Sequence, residues 1–562
     1  MTLEESINQW KRPPFDQATI NEVKELASNP TALEDAFYKE IEFGTGGMRG
    51  VMGAGTNRIN KYTLGKASQG LANYLNDKKE ERIPKIVIAY DCRHNSDTFA
   101  LAVAEVFSAN GIQAFLFSSL RPTPLLSFAV RYLKADAGIV LTASHNPPEY
   151  NGYKVYNKYG GQIVPPEDTA IMDRIKRVNY TDIKWEKNEK LIQYIDKEID
   201  QAYTTTTVND SLLSPVDRKE TKIVFTPLHG TSIISLPPVL EQAGFQNVHI
   251  VEEQKHPDGD FPTVISPNPE EKEAFTLALK KAKEIDADII LGTDPDADRI
   301  GIGVKDLDGQ WKLLNGNQLM VVLTRFVLEQ QSIHPNSFIA STVVSTPLME
   351  KMAKGFGLEC KLGLTGFKWI GKMIQDNPHQ NFLCGGEESY GFLVGDKVRD
   401  KDAISAALLA CDLQAHLKGK NSSIYRYLLD TYRRFGCYHE TLLSVTKKGK
   451  QGAEEIAQLM QKMRHSRPHV IAGTAVEKVD DFEIGLCYHT NGTTTKLDFP
   501  KANVLKFHLE GGATVAVRPS GTEPKIKFYI SVNHPLKNLD DYAVLEKQLA
   551  SNCEELLNAI TQ

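Results

Sequence analysis

Asp294, Asp296 and Asp298 alternate within "GTDPDADRIG", directly after an apolar run. Alternate residues of an extended segment share one side, so the three carboxylates are expected to converge on a single hard cation. Pro295 reinforces this by biasing Asp294 toward extended geometry. An EF-hand is excluded by register: counting from Asp294, the glycine position holds Arg299 and the terminal glutamate position holds Lys305. All-oxygen ligands suit magnesium. A second chemical group is Ser144 in "TASHNPPEYNGYK". It is no hydrolase nucleophile elbow, because Thr142 and Asn146 occupy the positions that need glycine. His145 is adjacent, and adjacent side chains ordinarily point apart. The stretch reads as a polar loop stiffened by Pro147 and Pro148 and turned at Asn151-Gly152.

Three further stretches carry polar groups between glycines. In "VRPSGTEPKIKFYI", Arg518, Ser520, Thr522 and Lys525 surround Gly521. The missing side chain lets main-chain N–H groups approach an anion, and arginine offers a fork that fits phosphate. In "CGGEESYG", Glu387 and Ser389 suit sugar hydroxyls. In "FGTGGMRGVMGAG", glycines bring the main chain close to a neighbour and Arg49 can meet an anion; Arg49 also occupies the third glycine position of a dinucleotide fingerprint and so excludes one. "GFKWIGKM" imitates an ATP-binding P-loop but has Met373 where a metal-binding hydroxyl is required. Lys368 and Lys372 then belong either to a phosphate contact or to a solvated helix face.

These loops need a scaffold. Three segments, starting at Lys85, Lys222 and Ser337, repeat one order: a short β-branched run, a polar loop, a helical stretch closing near Gly111, Gly244 or Gly357, and a second apolar run. That order predicts strand, crossover helix, parallel strand, three times over. After Tyr438 the pattern becomes alternating strands and a final helix near "DYAVLEKQLASNCEELLNAI". The chain of 562 residues is too long for one core. Its formal charge of -6 argues against non-specific binding of nucleic acid or a membrane surface. Without a leader-like start or a spanning apolar run, the expectation is a cytoplasmic protein. Seven scattered cysteines without a CxxC pair read as reduced thiols.

Taken together and in this order, "TASHNPPEYNGYK", "GTDPDADRIG", "GGEESYG" and "RPSGTEPK" resemble the α-D-phosphohexomutase superfamily, in the phosphoglucomutase branch that carries "TGFKWIG" and a long lead before "FGTGGMRG". The resemblance spans nearly the whole chain. It implies an α/β protein of four domains around a central cleft, the first three similar units with mixed, largely parallel sheets and the fourth α+β. We divide the chain accordingly at 1–208, 209–316, 317–437 and 438–562.

Residue by residue, the resemblance implies that Ser144 carries a phosphoryl group and that Asp294, Asp296 and Asp298 hold Mg2+ together with a phosphoserine oxygen at Ser144. Arg299 would lie beside the transferring phosphate, with Lys154 and Arg49 close by. Glu387 and Ser389 match the sugar-binding pair, Arg518, Ser520, Gly521 and Thr522 the distal phosphate site, and Thr365, Gly366 and Lys368 the third-domain loop. No motif assigns the general base; His145, Lys154 and Lys401 of "RDKDA" are the candidates. The implied activity interconverts glucose 1-phosphate and glucose 6-phosphate, with glucose 1,6-bisphosphate as intermediate and activator, in a monomer or homodimer whose partners are small-molecule sugar phosphates. Relatives use mannose or pentose phosphates, but Ser389 in "GEESYG" matches the hexose pattern. A metal-dependent sugar phosphatase would share the serine and aspartates yet need no second phosphate cradle. A non-catalytic sensor could lose the serine or a metal ligand, and this chain has all of them.

Overall fold

The computed structural model describes residues 2–44, 47–78, 81–210, 216–447, 449–520 and 525–561. The three repeated segments each form two parallel strands joined by a helix. The pairs are Lys85–Tyr90 with Gln113–Phe117, Ile223–Thr226 with Val248–Ile250, and Ser337–Thr342 with Glu359–Gly363. Gly111, Gly244 and Gly357 stand just past the crossover helices at φ 74, 96 and 75°, the left-handed stop that glycine adopts without strain. The strands are buried: Ile86 through Ala89 and Ile289 through Leu291 have no exposed surface.

Each sheet then adds one element that the repeat pattern did not disclose. A parallel strand at the centre of the sheet turns back into an antiparallel partner: Ala137–Leu141 into Tyr150–Asn157, Ile289–Thr293 into Ile300–Lys305, and Asn381–Glu387 into Gly391–Val394. The stretches that carry Ser144, the three aspartates, and Glu387 with Ser389 occupy these three connections. The fourth sheet is eight-stranded. Its strands Thr514–Pro519 and Lys525–His534 pair antiparallel and carry the two ends of "RPSGTEPK". The helices Gly449–His465 and Tyr542–Thr561 complete an α+β unit, the first of them not foreseen in the sequence pattern. Among the described residues, no helix is long and apolar enough to cross a membrane. The seven cysteines are unpaired.

Asn151-Gly152 is therefore no turn. Both residues lie inside Tyr150–Asn157, which is squeezed between Ala137–Leu141 and the edge strand Gly47–Val51. A Cβ at Gly152 would come within 2.5 Å of the Thr142 carbonyl oxygen and 2.7 Å of that of Met48, so glycine serves close main-chain approach rather than a reversal. The "GMRGV" stretch is likewise a strand, with Arg49 opposite Gly152.

The long lead forms three short helices, Leu3–Gln9, Gln17–Leu26 and Pro30–Phe37. They close on Trp10, which is fully buried and packs on Phe15, Phe37, Tyr62 and Tyr180 with ring centroids 4.3 to 5.9 Å away. The lead also grips the turn that follows Arg49's strand: Asn57 N–H donates to Ala36 O at 2.9 Å, and Arg58 pairs with Asp35 at 2.6 Å. Trp10→Ala should remove about 3–5 kcal/mol of local stability. Hydrogen exchange of the amides in Gln17–Leu26 and around Asn57 should speed accordingly, and unchanged exchange would dismiss the lead as a brace.

Candidate active site

Ser144 is 2% exposed and sits at φ 51°, a left-handed conformation uncommon for a residue with a side chain. Its main-chain N–H donates to Thr142 Oγ1 at 2.8 Å. Its hydroxyl donates to Asp294 Oδ2 at 2.7 Å and lies 3.1 Å from His145 Nδ1. The expectation that Ser144 and His145 point apart thus fails, because the left-handed residue turns the loop and brings both side chains to one side. Burial, followed by the charges of Arg299 and Arg49, holds the His145 imidazole well below its ordinary range and therefore neutral.

The three aspartates converge, though by a different route from the one their alternation suggests. Ala297 adopts φ 52°, its N–H donates to Asp294 O at 3.0 Å, and the N–H groups of Asp298 and Arg299 donate to Asp294 Oδ1 at 3.1 and 3.0 Å. The loop is a tight turn wrapped round Asp294. One ligand oxygen from each aspartate lies within 4.8 Å of the others, and all three residues are at most 2% exposed. Asp296 Oδ1 and Asp298 Oδ1 are buried without a hydrogen-bond partner. Buried carboxylate oxygens left unsatisfied in this way fit a divalent cation of hard character.

Cations from two other domains offset part of this charge. Lys154 Nζ lies 2.6 Å from Asp296 and 3.0 Å from Asp298, while Lys401 Nζ lies 3.1 Å from Asp298. Burial, together with the charges of Asp296 and Asp298, drives Asp294 well above the usual carboxylate range. For Asp298 burial also pushes upward, but Lys154, Lys401 and Arg299 outweigh it and hold the group low. Arg299 itself pairs with Glu270, and its Nε is 3.9 Å from Asp298. Exposed Arg49 donates to Asn146 Oδ1 at 2.8 Å, on the serine loop.

Lys401 reaches the aspartates because its neighbours are fixed. Asp400 accepts from the Tyr156 hydroxyl at 2.7 Å, and Asp402 caps the helix Ala403–Lys418 by accepting from Ile404 N and Ser405 N. Lys401 Nζ also lies 4.0 Å from Glu387 Oε1. Glu387 ends its strand 5% exposed, and burial pushes its carboxyl up to about 7, with Lys401 opposing. Ser389 follows in the connection that ends at Tyr390, φ 63°.

Four domain models of the phosphoglucomutase/phosphomannomutase family match the chain: α/β/α domain I at residues 40–182, α/β/α domain II at 201–309, α/β/α domain III at 315–432 and the C-terminal domain at 443–545. The chain belongs to this family. Phosphoglucomutase of Staphylococcus haemolyticus is 38% identical over 508 residues, 90% of this chain and 92% of the relative. Phosphoglucomutase of Staphylococcus aureus is 37% identical over 537 residues, 94% of this chain and 96% of the relative. The fold also matches solved structures of pp63/parafusin, a phosphoglucomutase of Paramecium in its open form, and of a phosphoglucomutase/phosphomannomutase family protein of Burkholderia thailandensis. For the first, the TM-score is 0.66 at 18% identity, covering 92% of this chain and 96% of that one. For the second it is 0.65 at 19% identity, covering 91% and 96%.

Within the phosphoglucomutase/phosphomannomutase fold the remaining residues named in the sequence fall on two loops. Gly366 is left-handed at φ 109°, the Thr365 hydroxyl is buried, and Lys368 opens the helix Lys368–Asp376. Burial lowers the Lys368 amine to about 8, with Asp168 opposing and Arg518 adding to the fall. Arg518 pairs across the strands with Lys527, and Ser520 N–H donates to Lys525 O at 2.7 Å. Gly521 and Thr522 lie outside the described residues.

Several site groups escaped sequence reasoning. Lys527 shares Arg518's position across the hairpin, and the alternation in "KIKFYI" is the signal that would have found it. Thr123, whose hydroxyl donates to Asp296 Oδ2 at 2.9 Å, Glu270 and Arg93 stand in none of the quoted stretches and reach the site only through the fold, while Asp400 stands beside Lys401 in "RDKDA" without having been singled out. Asp296→Asn should weaken divalent-cation binding by at least the roughly 10- to 100-fold that loss of an outer-shell partner costs. Calorimetric titration with Mg2+ checks this, and unchanged affinity would rule out Asp296 as a ligand.

Proposed function

We propose that the protein is a phosphoglucomutase that interconverts glucose 1-phosphate and glucose 6-phosphate through a phosphorylated Ser144 and a glucose 1,6-bisphosphate intermediate. The reading is carried by one observation: a buried serine hydroxyl donates at 2.7 Å to a carboxylate of a three-aspartate cluster that has oxygens to spare. Asp294, Asp296 and Asp298 would hold Mg2+, joined by a phosphoserine oxygen at Ser144. Magnesium, when bound, supplies charge neutralisation and polarisation of phosphoryl oxygens. Each like-charge pair at about 4 Å costs on the order of 4 kcal/mol at an effective dielectric near 20, so a phosphate beside three carboxylates needs every available cation.

The chain's own residues divide the remaining work. Arg299 and Arg49 meet charge on the transferred phosphoryl group. When Ser144 is the acceptor, its proton has two partners at hand, Asp294 Oδ2 and His145 Nδ1. Burial favours the neutral amine at Lys154 and Lys401, but the surrounding carboxylates outweigh it and keep both charged. A cation on Asp296 and Asp298 would weaken that counterweight, so Lys154 and Lys401 stand with His145 as the candidates for the base that deprotonates the sugar hydroxyl. Glu387 and Ser389 grip sugar hydroxyls. Arg518 and Ser520, with Gly521, Thr522 and the third-domain Thr365, Gly366 and Lys368, hold the phosphate that is not reacting. Both phosphates of the bisphosphate visit both places in turn, so added glucose 1,6-bisphosphate restores enzyme that has lost its phosphoryl group. The same reading carries the domain limits at 208, 316 and 437 and a cytoplasmic location.

A coupled assay with the 1-phosphates of glucose, mannose and ribose side by side tests the substrate, and a higher efficiency with mannose or ribose would overturn the glucose assignment. Ser144→Ala should lose several orders of magnitude in turnover while keeping its fold, since the covalent relay goes and little packing does. Turnover near wild type would sink the phosphoserine mechanism.

Arg518→Ala should lose a charge-assisted contact worth about 1.5–3 kcal/mol, a roughly 10- to 150-fold fall in apparent affinity. The bisphosphate should then escape more often, so the variant should depend more strongly on added glucose 1,6-bisphosphate. Affinity and bisphosphate dependence like those of wild type would show that this loop is not the second phosphate site.

A further inference from the structure

Arg93 lies on none of the motif loops, yet it holds the serine loop together. It follows the strand Lys85–Tyr90 and its side chain is wholly buried. The guanidinium donates to four main-chain oxygens: Ser144 O at 2.7 Å, Asn146 O, Pro147 O at 2.8 Å and Tyr150 O at 2.9 Å. Its Nε faces Asp91 Oδ2 at 3.6 Å, and Asp91 is steadied in turn by Ser96 Oγ and Arg93 N. One planar fork thus gathers the loop from its reactive residue to its return strand. A non-glycine residue held at positive φ, as Ser144 is, persists only where its surroundings over-determine it. The bond to Ser144 O is one such determinant, beside those that Ser144 N–H and Oγ make to Thr142 and Asp294.

The cover over this fork comes from the second domain. The Phe261 ring centroid lies 5.2 Å from the Arg93 guanidinium carbon, and Phe261 is 1% exposed. Its loop is seated against the residues around Arg93. His94 Nε2 and Asp260 Oδ1 are 2.7 Å apart, and a Cβ at Gly259 would stand 2.9 Å from His94 N and 3.0 Å from Cys92 O. Gly259 therefore marks main-chain contact between two domains beside Arg93.

We propose that Arg93 is the positioning residue of the serine loop, and that seating of the 258–261 loop on the first domain sets its alignment, so that phosphoryl transfer to Ser144 depends on a contact that touches neither substrate nor metal ligands. The proposal rests on the phosphoserine reading given above. In the step concerned, a bond forms between Ser144 Oγ and phosphorus of glucose 1,6-bisphosphate, the bond from that phosphorus to the sugar oxygen breaks, and the hydroxyl proton ends on the released sugar oxygen.

The test is a quenched-flow measurement of Ser144 phosphorylation by glucose 1,6-bisphosphate, read by intact mass, in the full-length dephosphorylated protein with Mg2+. Three proteins are compared: wild type, Arg93→Lys and Gly259→Ala. A misplacement of about 1 Å costs on the order of 10²-fold, so Arg93→Lys should slow the first-order rate constant about that much and Gly259→Ala by roughly 10-fold. In both, burst amplitude should be retained and KM for glucose 1-phosphate should stay within about threefold. A purely structural role predicts the reverse, a smaller amplitude from fewer folded molecules with an unchanged rate constant. Wild-type rate constants in both variants, or loss of amplitude alone, would overturn the proposal for Arg93 while leaving the phosphoserine reading intact. Absence of Ser144 phosphate in wild type would overturn both.

Discussion

Three buried carboxylates that share one loop repel one another, and the assembly of this molecule answers that repulsion. Lys154 arrives from an antiparallel strand of the first domain and Lys401 from a loop of the third, each within salt-bridge distance of Asp298. The main chain of the same loop is claimed from three directions: Thr123 N–H donates to Asp296 O, Thr231 N–H to Pro295 O, and Ala403 N–H to Ala297 O. No single domain supplies enough positive charge and hydrogen bonding to keep the turn in this shape. The aspartate loop is thus both the most expensive element to bury and the point at which three domains register on one another.

The four hairpins explain how such different chemistries share one architecture. In the first three domains a motif follows the C-terminal end of a strand within the parallel part of the sheet, where open α/β sheets gather ligands, and an antiparallel partner carries the chain away. The fourth domain reaches the same result with a fully antiparallel pair. In the first three domains each loop is anchored at both ends by paired strands, so its side chains are placed by the sheet. Ile300 N–H donates to Tyr390 O, which ties the aspartate hairpin directly to the one that carries Glu387.

Much of this was legible in the sequence, and the exceptions share a cause. Apolar runs and helix-ending glycines announced the three crossover units, and the motifs announced Ser144, the aspartates, Glu387 and Arg518. Periodicity could not announce Tyr150–Asn157 as a strand, because "YNGYK" carries turn residues whose purpose is close packing against two neighbouring strands. Nor could alternation alone describe the aspartate loop, where left-handed Ala297 and hydrogen bonds to Asp294 bring the carboxylates together. Arg93, Thr123 and Asp400 act through partners 51 to 244 residues away along the chain, a separation that no local pattern records.

The connection that presents Glu387 and Ser389 is short. Only Glu388, Ser389 and Tyr390 separate the paired residues Glu387 and Gly391, and Tyr390 is already left-handed. Glu388 is also held, its carboxylate accepting from Ser345 Oγ at 2.8 Å. A hairpin this tight has no slack to lengthen or shorten without shifting the register of both strands. In evolutionary terms, such a connection can change its chemistry by replacing side chains, Glu387 and Ser389 among them, far more readily than by changing its length.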